Sequence, residues 1–410
     1  MPVLEATPTH LLSQIQAIRT ESDRLFQVLK PEALFERPIA QRHRVLFYIG
    51  HLDGFDAIQI SREGAGVKSP DPELDALFQA GIDPDAGHLP RDTPADWPSL
   101  EQIEAYVARC RQRVDEAVDR CPEEILSMSL EHRQMHLETL AYMFHNFPHA
   151  FKQSVAPSEI VASSALIENP WLDIPAGEAV LGAPDDGRFG WDNEFGEVRK
   201  QVPAFRIQQH KVTNGEYLRF VQAGARMPHF WASVNGELFY RGMFEQIPLP
   251  MDWPVYITEQ EAEKYAQWIG ASVPSEEQFH RAAYGTAWGE VRQYPWGNQP
   301  PVRQHGNFDF NRWDPESVIA TPAGNSAFGV SQLVGNGWEW TSSVFAPFPG
   351  FHSRSSYPGY SSNFFDDEHN VIKGASPRTA ARLLRSSFRN WFRRDYPYVY
   401  ATFRCVTEAA

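Results

Sequence analysis

Residues 122–147 read PEEILSMSLEHRQMHLETLAYMFHNF. Apolar residues return at helical spacing, so the stretch is expected to form a helix, bent near Ser127–Ser129. His132 and His136 stand four apart, which turns both imidazoles to one side, where they can share one metal ion. At the same pitch that side carries Leu140, Met143 and Phe147, so it faces a core, with Arg133, Gln134 and Glu138 elsewhere. For an isolated pair of this spacing, hydrogen-bonded core histidines are the commoner arrangement. A third histidine shifts the balance. His51, in VLFYIGHLDGFDAI (45–58), shares a face with Phe47, Phe55 and Ile58. In a four-helix bundle the second and fourth helices can be neighbours. Three neutral imidazoles with open coordination positions suit Fe(II), Cu or Zn. His43, His88, His145 and His149 are near enough in sequence to compete for the role.

Working outward, a first helix is expected over Thr9–Leu29, ended by Pro31, and a second over Ala40–Arg62. A long polar loop follows, SPDPELDALFQAGIDPDAGHLPRDTPADWPS (69–99). A third helix starts after Ser99, an N-cap, and runs to Arg120 before Cys121-Pro122 breaks it. Residues 1–155 thus read as a four-helix bundle with one long crossover. From about residue 165, Gly, Pro and aromatic residues punctuate short β-like runs such as EAVLGA (178–183), FRIQQHKV (205–212) and NVIKGAS (370–376). Short helices are expected over Thr213–Gln222, Thr258–Ile269 and Ser275–Ala283, the last with a Ser275/Gln278 capping box. Residues 165–410 read as an α+β domain rich in irregular structure.

The chain has 410 residues, enough for two or three domains. Twelve Trp, fourteen Tyr and twenty-seven Phe suit a domain whose loops are pinned by large rigid rings. A formal net charge of −15 argues against a nucleic-acid footprint. Cys110, Cys121 and Cys405 are too scattered for a disulfide framework. No signal-peptide pattern opens the sequence and no apolar run is long enough to span a bilayer. A cytoplasmic protein that binds neither nucleic acid nor membrane is expected; the oligomeric state is not legible.

The helical part, with its early His and its HRQMHLETL, resembles the DinB-like iron-binding bundle of the ergothioneine-type sulfoxide synthases. The later part supports this independently. The stretches 189–221, 253–270, 273–285, YPWGN (294–298), GNGWEWTSS (335–343), IKGAS (372–376), FRNWFRR (388–394) and YATFRCV (400–406) resemble, in order, the formylglycine-generating-enzyme-like (C-type-lectin-like) domain of that family. Asn214 and Glu276 are expected to be local hydrogen-bond anchors there.

The resemblance implies oxygen-dependent bond formation between a sulfur donor and the imidazole carbon of hercynine, a trimethylated histidine, at Fe(II) held by His51, His132 and His136. SSYPGYSSNFF (355–365) is similar to the family segment with the catalytic tyrosine, which points to Tyr357 and Tyr360 as proton donors. FRNW is similar to the segment that holds the betaine, which points to Asn390 and Trp391. Departures bear on the donor. Phe392 stands where enzymes using γ-glutamylcysteine have Asp, Met135 stands where Gln is frequent, and Arg91 is the only arginine in the loop before the third helix. Charged donor groups would lose their ionic partners. A selenosugar donor, as in the closely similar selenoneine synthases, is therefore expected ahead of cysteine or γ-glutamylcysteine, with GIDPDAGHLPRDTPADW (81–97) supplying contacts. A copper-type formylglycine-generating enzyme would need a cysteine pair where this domain has only Cys405. A bacillithiol-transferase-like zinc bundle leaves the second domain unexplained, and a non-catalytic ligand-binding or scaffold protein leaves three inward histidines without a reason.

Overall fold

The computed structural model describes residues 8–79, 89–154 and 163–409. They fall into two compact units, Met1–Ser158 and Glu159–Ala410, a helical one and a sheet-rich one in an α+β layout.

The first unit contains α1 (Pro8–Phe26), α2 (Val45–Asp56), α3 (Pro72–Gln79), α4 (Leu100–Ala117) and α5 (Glu123–His145). A π-helical stretch, Ala57–Gly64, continues α2. α2 packs on α3 and α4, and α1 packs on α5. α4 starts where Ser99 accepts from the Gln102 backbone N–H at 3.3 Å and the Gln102 side chain accepts from the Ser99 N–H at 2.9 Å. This is a capping box that satisfies two otherwise orphaned donors.

Three expectations are corrected. α5 runs unbroken through Ser127 and Ser129, because burial against neighbours outweighs the small helix penalty of serine. The polar loop contains α3, whose two turns are too short to leave a periodic pattern, although Phe78 is wholly buried. Arg133 and Glu138 are buried rather than turned away from the core, at 1% and 6% exposure. Arg133 donates to Asp53 Oδ1 at 2.7 Å and to Asp56 Oδ2 at 2.7 and 3.0 Å, joining α5 to α2. It also reaches Ser22 Oγ on α1 at 3.1 Å. Arg111 of α4 donates to the other Asp53 oxygen at 3.0 Å. Burial alone would raise Asp53, but Arg133, Arg111 and Arg19 bring its carboxyl below the usual range.

The second unit is built from small sheets. β1 (Trp171–Ile174), β4 (Phe205–Gln208) and β12 (Val406–Glu408) form one; β2 (Gly177–Leu181) and β3 (Val198–Val202) another. β5 (Trp231–Val234), β6 (Glu237–Arg241) and β7 (Gln246–Pro248) make a third. The largest runs β10 (Asn390–Arg393), β9 (His369–Ala375), β8 (Gly337–Val344), β11 (Ala401–Thr402), with a bulge in β8 between Trp340 and Val344. Helices α6 (Asn214–Gln222), α7 (Glu259–Trp268) and α8 (Glu276–Tyr284) start at Thr213, Thr258 and Ser275, each with a capping box. α8 seats Phe279, Ala282 and Ala283 in a core with Ile207, Val330 and Leu333. Asn214 acts as the expected anchor, donating to the Pro250 carbonyl at 2.7 Å and accepting from Trp231 Nε1 at 3.1 Å. Glu276 receives both arms of Arg389, at 3.0 and 3.1 Å.

Removing one partner of a buried ion cluster leaves the others unpaired in a poorly solvating interior. Arg133→Met is therefore expected to lower the stability of the helical unit by about 3–5 kcal/mol, read by urea unfolding followed through helical circular dichroism. Unchanged stability would mean that the two aspartates are satisfied without it.

Candidate metal centre

His51 sits mid-way along α2 and is 3% exposed. Phe47, one turn earlier, lies flat against its ring at 4.9 Å. His132 and His136, one turn apart on α5, are 3% and 6% exposed. Phe55, one turn beyond His51, stacks on His132 at 3.5 Å and 12°. The Nε2 atoms of His51 and His136 are 3.3 Å apart, and those of His136 and His132 3.1 Å. Candidate ligand atoms of all three lie within 4.8 Å of one another, and no other such group of His, Cys, Asp or Glu is found among the described residues. His43, His145 and His149 stay outside the cluster, although the His43 ring lies 4.2 Å from that of Phe47, tilted by 31°. His88 lies outside the described residues, as do residues 81–88 of the loop expected to contact the donor.

Burial lowers the pKa of His51 to about 4 and takes His132 and His136 well below the ordinary histidine value. Neutral imidazole carries one proton. In His51 that proton belongs on Nδ1, which donates to the Phe78 carbonyl at 2.7 Å, so Nε2 presents a lone pair to its neighbours. Nitrogens crowded this closely repel unless a proton or a cation lies among them. Separations of about 3 Å are what two metal–nitrogen bonds of about 2.1 Å leave when they meet near a right angle. The donor set therefore fits one divalent ion.

The Phe78 carbonyl is a site component that sequence inspection missed. A backbone acceptor leaves no mark in the sequence, but the glycines that admit it do. Gly50 and Gly54 flank His51 on α2. A Cβ on Gly50 would land on the Phe78 ring, and one on Gly54 would lie 2.8 Å from the Tyr106 hydroxyl. Tyr106 in turn donates to Asp75 on α3 at 2.8 Å. The bare face of α2 lets α3 come close enough for its last turn to orient His51.

In the second unit, Tyr360 stacks on Trp191 at 4.0 Å and meets the edge of Trp391 at 5.4 Å. Tyr357 lies 6.0 Å from Tyr360, and burial raises its phenol. Trp391 also meets the rings of Phe345, face to face at 4.2 Å, and Phe364. Asn390 accepts from the Trp391 backbone N–H at 2.9 Å. Phe392, next on β10, stacks instead on Tyr396 at 5.3 Å, as the alternation of a strand requires. Met135 precedes His136 on α5 and is half-buried. Sequence inspection did not single out Trp191.

His136→Ala is expected to abolish high-affinity metal binding. Gly50→Ala, which moves α3 and its carbonyl off His51, is expected to weaken it about 10–100-fold with the helical signal retained. Equilibrium titration with Co(II) or Zn(II) reads both, and wild-type affinity in Gly50→Ala would contradict the role of Phe78.

Residues 163–409 match the family model of the sulfatase-modifying factor enzyme 1-like domain. The chain is 33% identical to the hercynine oxygenase of Mycolicibacterium thermoresistibile, over 80% of this chain and 78% of that one. It is 32% identical to that of Mycobacterium tuberculosis, over 84% and 86%. It is 28% identical to ergothioneine biosynthesis protein 1 of Neurospora crassa over 93% of its own length, and it spans about half, 56%, of that larger protein. With a matching domain over more than half its length and relatives this similar along most of theirs, the chain belongs to the ergothioneine sulfoxide synthase family.

Proposed function

We propose that this chain is an iron(II)- and dioxygen-dependent enzyme that joins a chalcogen donor to the imidazole carbon of hercynine. The convergence of three buried, neutral histidines at 3.1 and 3.3 Å carries this reading. Relatives named for hercynine and for ergothioneine biosynthesis support the substrate class. His51, His132 and His136 would hold the iron, on a helical unit read as DinB-like. Ferrous iron with open positions supplies dioxygen activation and a place for the reacting atoms.

The other roles belong to side chains. Trp391 and Asn390 receive the betaine, an aromatic face suiting a quaternary ammonium and an amide suiting its carboxylate. Tyr357, whose phenol burial keeps protonated at neutral pH, and Tyr360 hold the proton to be delivered. Phe392 and Met135 are the positions assigned to donor recognition.

For the donor, a selenosugar fits best, which makes the chain a selenoneine synthase. Phe392 lies on Tyr396 and brings an aromatic face where a charged donor would need an ion partner. Asp92 offers no such charge: Arg37 and Arg44 pair with its carboxylate and Trp97 Nε1 donates to it at 2.7 Å. Arg37 and Arg44 are in turn occupied by it. Sugar hydroxyls ask for aromatic surface and hydrogen bonds rather than ion pairs. A second reading, a thiol donor giving a sulfoxide, draws on the relatives named for ergothioneine biosynthesis.

The test is anaerobic reconstitution with Fe(II), then oxygen with hercynine and cysteine, γ-glutamylcysteine or a selenosugar in parallel, with products read by mass spectrometry. A carbon–selenium product from the selenosugar alone is expected. Sulfoxide from a thiol alone would replace the donor assignment by the second reading, and no product from any donor would overturn the enzymatic proposal.

A further inference from the structure

The two tyrosines proposed as proton donors lie on an irregular segment, Arg354–Ser361, whose backbone bonds include those of turns: Tyr357 N–H to the Arg354 carbonyl at 3.1 Å, and Tyr360 N–H to the Tyr357 carbonyl at 3.3 Å. Turns of this kind do not by themselves fix where a phenol points. The constraint comes from one short stretch of a different part of the chain, Phe189–Glu194.

Each residue of the pair Trp191-Asp192 holds the segment at a different place. The Ser361 hydroxyl, on the residue after Tyr360, donates to Asp192 Oδ1 at 2.6 Å, a length typical of a hydroxyl bound to a carboxylate. Ser361 is sealed from solvent and Asp192 is 4% exposed. The Trp191 indole supplies the surface on which Tyr360 is stacked, 22° from parallel. At the other end of the segment, the Arg354 guanidinium donates to the Gly190 carbonyl and lies over the Phe189 ring at 5.0 Å.

That stretch is itself anchored. The Trp191 backbone N–H donates to Glu194 Oε1 at 2.8 Å. Glu194 in turn receives Arg385 Nε at 2.7 Å and the Ser387 hydroxyl at 2.7 Å. The chain runs from there in three residues to Asn390 and Trp391, and Trp391 meets the edge of Tyr360. A continuous set of contacts therefore links Glu194, through Trp191 and Asp192, to the tyrosine segment on one side and to the Asn390–Trp391 strand on the other.

We infer that Asp192 is a positioning residue: by clamping Ser361 it fixes the backbone at Tyr360, keeps that ring against Trp191, and so sets where the phenolic proton is presented. The inference rests on the assignment of Tyr357 and Tyr360 under the proposed function. Neither Asp192 nor Ser361 need touch substrate for it to hold.

The test uses the full chain, wild type and five variants: Asp192→Asn, Ser361→Ala, Tyr357→Phe, Tyr360→Phe and the conservative rescue Ser361→Thr. Two quantities are read. One is amide hydrogen exchange across residues 354–361. The other is the partition between carbon–chalcogen product and donor oxidised without coupling, measured at saturating hercynine. Losing one strong hydrogen bond is worth about a factor of ten in local opening. Exchange in 354–361 is expected to rise about tenfold in Asp192→Asn and Ser361→Ala, with the rest of the unit unchanged. The partition should move towards that of whichever tyrosine variant alters it, and Ser361→Thr should restore both. Unaltered exchange in both clamp variants overturns the inference. So does faster exchange with a wild-type partition while a tyrosine variant shifts it. If neither tyrosine variant shifts the partition, the tyrosine assignment itself fails, and that result is separable because it does not depend on the clamp variants.

Discussion

The helical unit turns on one buried ionic knot. Arg133 lies between His132 and His136 in sequence, and its guanidinium is divided between Asp53 and Asp56, two and five residues beyond His51. A guanidinium and two carboxylates cannot be buried apart from one another without a penalty of several kcal/mol per ion. The register of α2 against α5 is therefore set by charge as much as by packing. Sliding one helix by a turn, about 5.4 Å, would unpair the charges and separate His51 from the other imidazoles in the same movement. Arg111 and Arg19, converging on Asp53 from α4 and α1, extend the lock to the remaining long helices.

The sheet-rich unit solves a related problem differently. Long irregular stretches leave carbonyls without a ladder partner, and buried carbonyls need donors. Arg404 supplies them to Gln208, Gln209 and Ser331, and Lys211 supplies one to Gly337, while Glu339 accepts from both cations. Lys211, Glu339 and Arg404 are all sealed from solvent. Burial brings Lys211 down to about 8. Stacked rings contribute as well, as where Trp296 of the YPWG turn stacks on Tyr294 at 5.0 Å and on His305 at 4.4 Å.

Much of this was legible in the sequence, for identifiable reasons. The His132/His136 spacing survives because helix pitch is fixed, and Thr213, Thr258 and Ser275 mark helix starts because capping needs a side-chain oxygen there. His51 was readable from the face it shares with Phe47 and Phe55, both of which pack on the imidazoles. Arg133 was misread because a charged residue on a helix is ordinarily assigned to solvent, and the partners that allow its burial are 77 and 80 residues away. α3 was missed because two turns carry too little periodicity. Asp92 and Trp97 looked available to a ligand, whereas they satisfy each other and two arginines from before α2. What sequence inspection could not supply was contact at a distance: the Phe78 carbonyl on His51, and the pairing of Asp192 with Ser361.

The central claim is that three histidines of the helical unit hold one iron. Iron-edge X-ray absorption on protein reconstituted anaerobically with Fe(II), with metal content measured on the same sample, addresses it most directly. One iron per chain in a nitrogen and oxygen shell, with the outer-shell scattering of three imidazoles, is the predicted result. Substoichiometric iron, sulfur in the first shell, or an unchanged spectrum when His51, His132 and His136 are each replaced by alanine would contradict it.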